Sequence, residues 1–87
     1  MAFQVALSHR AEQAIRRVTS QLQGRIYKGI EALKVEPFRG RPGADIKMLR
    51  GDRGQYRLRV GNYRIFYVVD ENTVYVTDVR HRSHAYD

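Results

Sequence analysis

The chain contains no cysteine and no tryptophan, and only two of its 87 residues are proline. Without cysteine there is neither a disulfide staple nor a thiolate metal centre, so an apolar core must hold the fold, and a reducing cytoplasm is the expected location. No stretch approaches the roughly 18 successive apolar residues of a membrane-spanning helix. The opening MAFQVALSHR lacks a basic start followed by a long apolar run, so neither secretion nor a membrane partner is expected. Acidic residues are scarce as well: 9 Asp and Glu stand against 16 Lys and Arg, a formal charge of +7. That imbalance favours a polyanionic partner. A length of 87 residues suits one domain, residues 1–87, near the lower size at which a single core suffices.

Several chemistries lack their residues. The three histidines are scattered, without the spacing of a zinc site, and no metal or other cofactor is expected. GDRG and the glycines around Pro42 lack the Lys-Ser or Lys-Thr and the following helix of a Walker phosphate loop. No serine has an evident base beside it. Asp52, Asp70, Glu71 and Asp78 read as turn or strand-edge residues rather than a catalytic carboxylate pair.

What is present divides into two halves. Ala2 to Leu7 alternates weakly as a short strand and ends at Ser8, a favoured helix N-cap. Ala14, Ile15, Val18 and Leu22 then follow three-and-four spacing, with Glu12, Gln13, Arg16 and Arg17 on the other side. Thr19, Ser20 and Gly24 weaken the pattern, Ile26, Ile30 and Leu33 restart it, and Pro37 closes it, which predicts a helical hairpin. The run FRGRPGAD, residues 38 to 45, is a loop that should carry Arg39 and Arg41 outward. Ile46 to Arg50, Gln55 to Val60, Tyr63 to Val69 and Thr73 to Val79 read as strands separated by GDRG, GN and DEN turns. The expected class is α+β: an N-terminal strand, a helical hairpin, then an antiparallel sheet of three to four strands with the helices on one face.

The Gly61-Asn62 pair predicts a tight hairpin with Val60 opposite Tyr63. Counting outward sets Arg59 opposite Arg64 and Arg57 opposite Phe66, so Arg57, Arg59 and Arg64 share one face while Leu58, Val60 and Ile65 point to the helices. Like charges facing each other on a sheet cost up to ~1 kcal/mol. Phosphate binding explains tolerating them, since guanidinium forks match phosphate oxygens; a solvated charged face is the alternative. The closing VRHRSHAYD adds Arg80, His81, Arg82, His84 and Tyr86, residues suited to proton transfer, charge stabilisation and base stacking.

Taken in order, KMLRG, YRLRVGNYRIFYVVD and VRHRSHAY resemble the RelE/ParE superfamily of toxins over nearly the whole chain. Leu49, Gly51, Tyr56, Arg57, Arg59, Gly61, Tyr63, Arg64, His81, Arg82 and Tyr86 carry the likeness. In its RelE branch the resemblance implies cleavage of messenger RNA on the ribosome, without metal, by attack of a ribose 2′-hydroxyl on the adjacent phosphate. It implies that Arg57 and Arg64 stabilise the charge growing on that phosphate, that Arg82 serves the leaving oxygen and that Tyr86 stacks on a base. Arg59 stands where well-known members place lysine, and a guanidinium is not a base at pH 7. Either His81 or His84 is then the expected base, if the tail folds back onto the arginine face, or the arginines act mainly by charge stabilisation while the ribosome assists. Arg39, Arg41, Lys47, Arg50, Arg53 and His84 would extend the RNA-binding surface. The partners implied are the ribosome, messenger RNA and a cognate antitoxin with an acidic or amphipathic segment. The ParE branch, a protein inhibitor of DNA gyrase that cuts no RNA, is the competing expectation on the same fold.

Overall fold

The computed structural model describes residues 2–49 and 54–84, with His84 described for its backbone alone. Its elements run β1 (Gln4–Leu7), α1 (His9–Arg16), α2 (Ser20–Val35), β2 (Asp45–Met48), β3 (Gln55–Val60), β4 (Tyr63–Asp70), β5 (Thr73–His81) and a 3-10 turn (Arg82–His84). Ser8 caps α1: its Oγ accepts the Ala11 N–H at 3.0 Å. Thr19 caps α2 in the same way through Leu22 at 3.3 Å. The Thr19 cap explains why the helical pattern breaks after Arg17, since its hydroxyl satisfies an amide that the first turn of a new helix leaves without a partner.

The sheet has five strands in the order β1-β5-β4-β3-β2. Four follow the helices and pair antiparallel, while β1 lies parallel against β5, with Val5 opposite Val74. The sheet is therefore mixed and one strand larger than expected. No turn joins β1 to β5, so that pairing leaves no local signal. It is held at both ends by Gln4 N–H to the Asn72 carbonyl, 2.8 Å, and Ser8 N–H to the Val76 carbonyl, 2.9 Å.

Both helices cover one sheet face. Ala11 and Ile15 of α1 and Ile26, Ile30 and Leu33 of α2 are buried with Ile46, Leu58, Ile65, Tyr67, Val74, Val76 and Val79. Each such Val, Leu or Ile contributes about 1.5–3 kcal/mol by leaving water. Gly29 lets α2 approach β3, because a Cβ there would lie 2.9 Å from the Leu58 side chain. The Tyr67 hydroxyl, buried under the end of α2, donates to the Pro37 carbonyl at 2.7 Å; burial, then the neighbouring Tyr56, pushes its phenol pKa up. Among the described residues no helix is long and apolar enough to cross a membrane.

One irregularity positions the site. β4 and β5 pair as Tyr67 with Val76 but Phe66 with Asp78, so Thr77 is an extra residue and the ladder shifts between Phe66 and Tyr67. Thr77 Oγ1 donates to the Phe66 carbonyl at 3.2 Å, and the Thr77 carbonyl accepts from Ser8 Oγ at 2.8 Å. Ser8 thus caps a helix and pins a bulge at once. Beyond the bulge the alternation of β5 is inverted: Val79 and His81 face the helices, Asp78 and Arg80 the open side.

Candidate nucleic-acid interface

The Gly61-Asn62 turn, with Gly61 at φ 58°, fixes the β3–β4 hairpin in the register counted from the sequence: Val60 with Tyr63, Arg59 with Arg64 and Arg57 with Phe66. Adding β2 and β5 extends each pair into a row across four strands. One row reads Asp45, Arg59, Arg64, Arg80; the next reads Lys47, Arg57, Phe66, Asp78. Both rows lie on the face away from the helices.

Arg64 is the centre of the first row. It is only 9% exposed, its Nε has no hydrogen-bond partner among the described residues, and Nη1 makes a 3.5 Å approach to its neighbour's carbonyl. A guanidinium carries five N–H donors. Burying one with so few acceptors between two further arginines is unfavourable unless an anion completes the site.

Carboxylates balance the flanks. Asp45 lies 3.0 Å from Arg59 Nε and 3.3 Å from Arg57 Nη1, and its backbone carbonyl accepts from the same Arg57 nitrogen at 3.1 Å. Asp78 holds Arg80 Nε at 2.7 Å and lies 3.9 Å from Arg10. Arg57 and Arg59 are thereby splayed toward the β2 edge and Arg80 toward α1, which leaves Arg64 between them without a carboxylate from the described residues.

The other expected site residues are dispersed. Lys47 is exposed on the arginine face beside Arg57. Arg39 is exposed in the loop after α2. Arg41 does not point outward: its guanidinium turns back to the Glu36 carbonyl at 3.0 Å, the Arg39 carbonyl at 2.8 Å and the Ala32 carbonyl at 3.0 Å. The last turn of α2 leaves carbonyls without amide partners, and the arginine fork satisfies them. Arg41 is thus a helix cap.

His81 also requires correction. It pairs with Tyr63, packs edge-on against that ring at 5.3 Å between centroids, and contacts Ser83 Oγ through Nδ1 at 2.9 Å. Tyr63 belongs to the helix side of the sheet. The Thr77 bulge therefore takes the His81 ring off the arginine face and onto the helix side of the sheet. Arg82 is exposed, and its N–H ties the 3-10 turn to the Asn62 carbonyl at 2.6 Å. Arg50, Arg53 and Tyr86, and the side chain of His84, lie outside the described residues.

Residues 5–86 match the family described as the ParE toxin of the type II toxin–antitoxin system, parDE. That span is nearly the whole chain. The chain belongs to the RelE/ParE toxin superfamily. It is 30% identical over 88 aligned positions to the Methanocaldococcus jannaschii protein RelE1, covering 99% of this chain and 97% of that one. A shorter match, 46% over 43 residues, links it to Toxin RelE3 of the same organism and spans 49% of each chain, so the chain matches about half the length of that relative. Among solved structures, the RelB-RelE antitoxin-toxin complex from Methanococcus jannaschii is 30% identical with a TM-score of 0.77, covering 93% of this chain and 94% of that one.

Within this RelE/ParE superfamily chain, sequence reasoning missed Asp45 and Asp78 as members of the site and did not place Arg80 in the arginine row. Arg80 completes the central row, and Asp45 and Asp78 set how the arginines are splayed. The signal for Asp45 was available, because its strand pairs directly with β3. For Arg80 and Asp78 the bulge concealed it.

Proposed function

We propose that this RelE/ParE superfamily chain cleaves messenger RNA bound to the ribosome, with Arg64 at the scissile phosphate. The observation that carries the reading is the buried Arg64 guanidinium, one nitrogen without an acceptor, in a row of three arginines on a sheet face that no described helix covers. A phosphate there receives the missing hydrogen bonds and relieves the repulsion in the row.

In the proposed reaction the ribose 2′-oxygen attacks the adjacent phosphorus and the bond to the 5′-oxygen of the next nucleotide breaks. The products are a 2′,3′-cyclic phosphate and a 5′-hydroxyl. Arg64, with Arg59 and Arg57, stabilises the extra negative charge on the five-coordinate phosphorus; Arg82 serves the departing oxygen and Tyr86 stacks on a base. Arginine stays protonated at pH 7 and His81 lies behind the sheet, so the protein's part is charge stabilisation and alignment. The proton of the 2′-hydroxyl passes to water or to a group of the ribosome, and the departing 5′-oxygen, its charge met by Arg82, takes a proton from water. No metal enters this scheme.

A cognate antitoxin fits the same surface. The matched Methanococcus structure is a complex with an antitoxin, RelB, and a segment carrying carboxylates would neutralise a chain of net charge +7. A second reading, a ParE-type inhibitor that cuts nothing, is favoured by one feature: Asp45 and Asp78 already engage Arg57, Arg59 and Arg80, as in a protein-docking surface.

A translation extract programmed with one message separates the two. Expression of the chain should yield new 5′ ends within codons by primer extension, dependent on ribosomes and lost in Arg64→Ala. Intact message together with inhibited gyrase supercoiling would overturn the nuclease reading.

A further inference from the structure

Beyond Arg57, the second row of the open face holds Phe66 and Asp78, whose shape and chemistry phosphate binding does not use. Phe66 lies directly between Arg57 and Asp78, one pair along the strands from Arg64. It lines a recess of about 320 Å³ with Leu49, Gln55, Thr77, Asp78, Arg80 and Arg10. That volume is at the bottom of the range for small-ligand sites, about 300–1,000 Å³, and suits one flat heterocycle. The lining combines an aromatic ring and a leucine with an amide, a hydroxyl and a carboxylate, the mixture that holds an unpaired base by stacking and by its polar edge.

Spacing ties the recess to the arginine row. Arg64 and Phe66 are two residues apart on one strand and point to the same side, which separates their Cα atoms by about 6.5–7 Å. A phosphate on Arg64 therefore leaves the adjoining base within reach of Phe66. The charge of the recess is selective as well. The Asp78 carboxyl oxygens are acceptors, held in place by the Val79 N–H at 2.8 Å and by Arg80 Nε at 2.7 Å. Amino groups of adenine, cytosine and guanine donate to such a group, whereas the Watson–Crick edge of uracil presents two carbonyl oxygens flanking one N–H, and its carbonyls are repelled.

We propose that the Phe66 recess is a nucleobase subsite of the RNA-binding face, in which the base next to the phosphate on Arg64 stacks on Phe66 and Asp78 selects bases bearing an amino group over uracil. This rests on the reading of the arginine row as a phosphate site, and extends it from backbone to base. It assigns roles to Phe66 and Asp78, neither of which the cleavage scheme employs.

Anisotropy titrations of the full chain with fluorescein-labelled single-stranded RNA heptamers, six adenosines or six uridines with a common end nucleotide, test it at fixed low salt. Stacking of one base is worth about 1–3 kcal/mol, so Phe66→Leu should weaken binding of the adenosine heptamer roughly 5- to 150-fold, and Phe66→Tyr should keep it. Wild type should prefer the adenosine heptamer, and Asp78→Asn should abolish that preference. The preference is a ratio within one variant, which a general change in charge would not move. Full affinity in Phe66→Leu, with binding lost in Arg64→Ala, would leave the phosphate site standing and overturn the subsite. Unchanged binding in both variants would overturn the arginine-row reading too, and tighter binding of the matching DNA heptamers would overturn RNA as the occupant.

Discussion

Replacing Arg64 by methionine should stabilise the free protein while removing its function. Methionine preserves most of the aliphatic length that packs in the sheet but takes away the buried charge. In the native chain the Nε donor has no partner among the described residues, and the 3.5 Å approach to Tyr63 is at the limit of a hydrogen bond. An unsatisfied buried donor costs about 1–3 kcal/mol, and each like-charged neighbour in register, here Arg59 and Arg80, costs a further ~0.2–1 kcal/mol. A gain of about 2 kcal/mol is therefore expected, worth roughly 8–16 °C in Tm for a domain of this size. Differential scanning calorimetry in a buffer free of multivalent anions reads it directly. Sulfate adds a second arm: it should raise the Tm of the wild type by binding the row and leave the variant unmoved. A lower Tm in Arg64→Met would refute the reasoning, because the guanidinium would then be satisfied in the fold and its burial structural.

Four further outcomes follow from the same geometry. Asp45→Asn frees Arg57 and Arg59 from an intramolecular carboxylate and should tighten RNA binding several-fold, most clearly at low salt, as read by anisotropy. Ser8→Ala removes both the α1 cap and the bond to the Thr77 bulge and should cost about 1–2 kcal/mol in urea unfolding. Glu36 has its pKa lowered, first by the Arg39 N–H and also by the Phe38 N–H and the arginines nearby, against a smaller opposing effect of burial. A lowered folded-state pKa means the carboxylate stabilises above its unfolded value, near 4.5, and that contribution fades as pH falls through the lower folded one. Glu36→Gln should therefore show a flatter fall in Tm than wild type below about pH 4.5, and an equal fall would count against the contact. Finally, His81→Ala should leave the positions and rate of cleavage in the extract nearly unchanged, since the ring packs on Tyr63 behind the sheet.

Much of the arginine face was legible in the sequence because its register is local. A two-residue turn containing a glycine fixes a hairpin, and counting from Gly61-Asn62 places Arg57, Arg59 and Arg64 together as found. The next hairpin is different. Its turn is also short, with Asp70 opposite Thr73, but plain counting from it would set Arg64 opposite Val79 and turn His81 to the arginine face. The extra residue Thr77 reverses that outcome. Nothing in the residues YVTDVRH announces a bulge; it is held by the Ser8 hydroxyl, 69 positions away in the chain. The parallel pairing of β1 with β5 escaped for the same reason. Arg41 was misplaced because charge alone favours solvent, whereas the carbonyls at the end of α2 exert a pull that appears only once the loop turns back on the helix.

The central claim is that this face cuts RNA by a 2′-hydroxyl attack organised by Arg64. Purified ribosomes with a defined message in the decoding site, incubated with an excess of the chain and then analysed for fragment ends, test it most directly. The account predicts a 2′,3′-cyclic phosphate on the upstream fragment and a 5′-hydroxyl on the downstream one, both absent with Arg64→Met. Fragments bearing a 5′-phosphate, or equal cleavage by Arg64→Met, would contradict it.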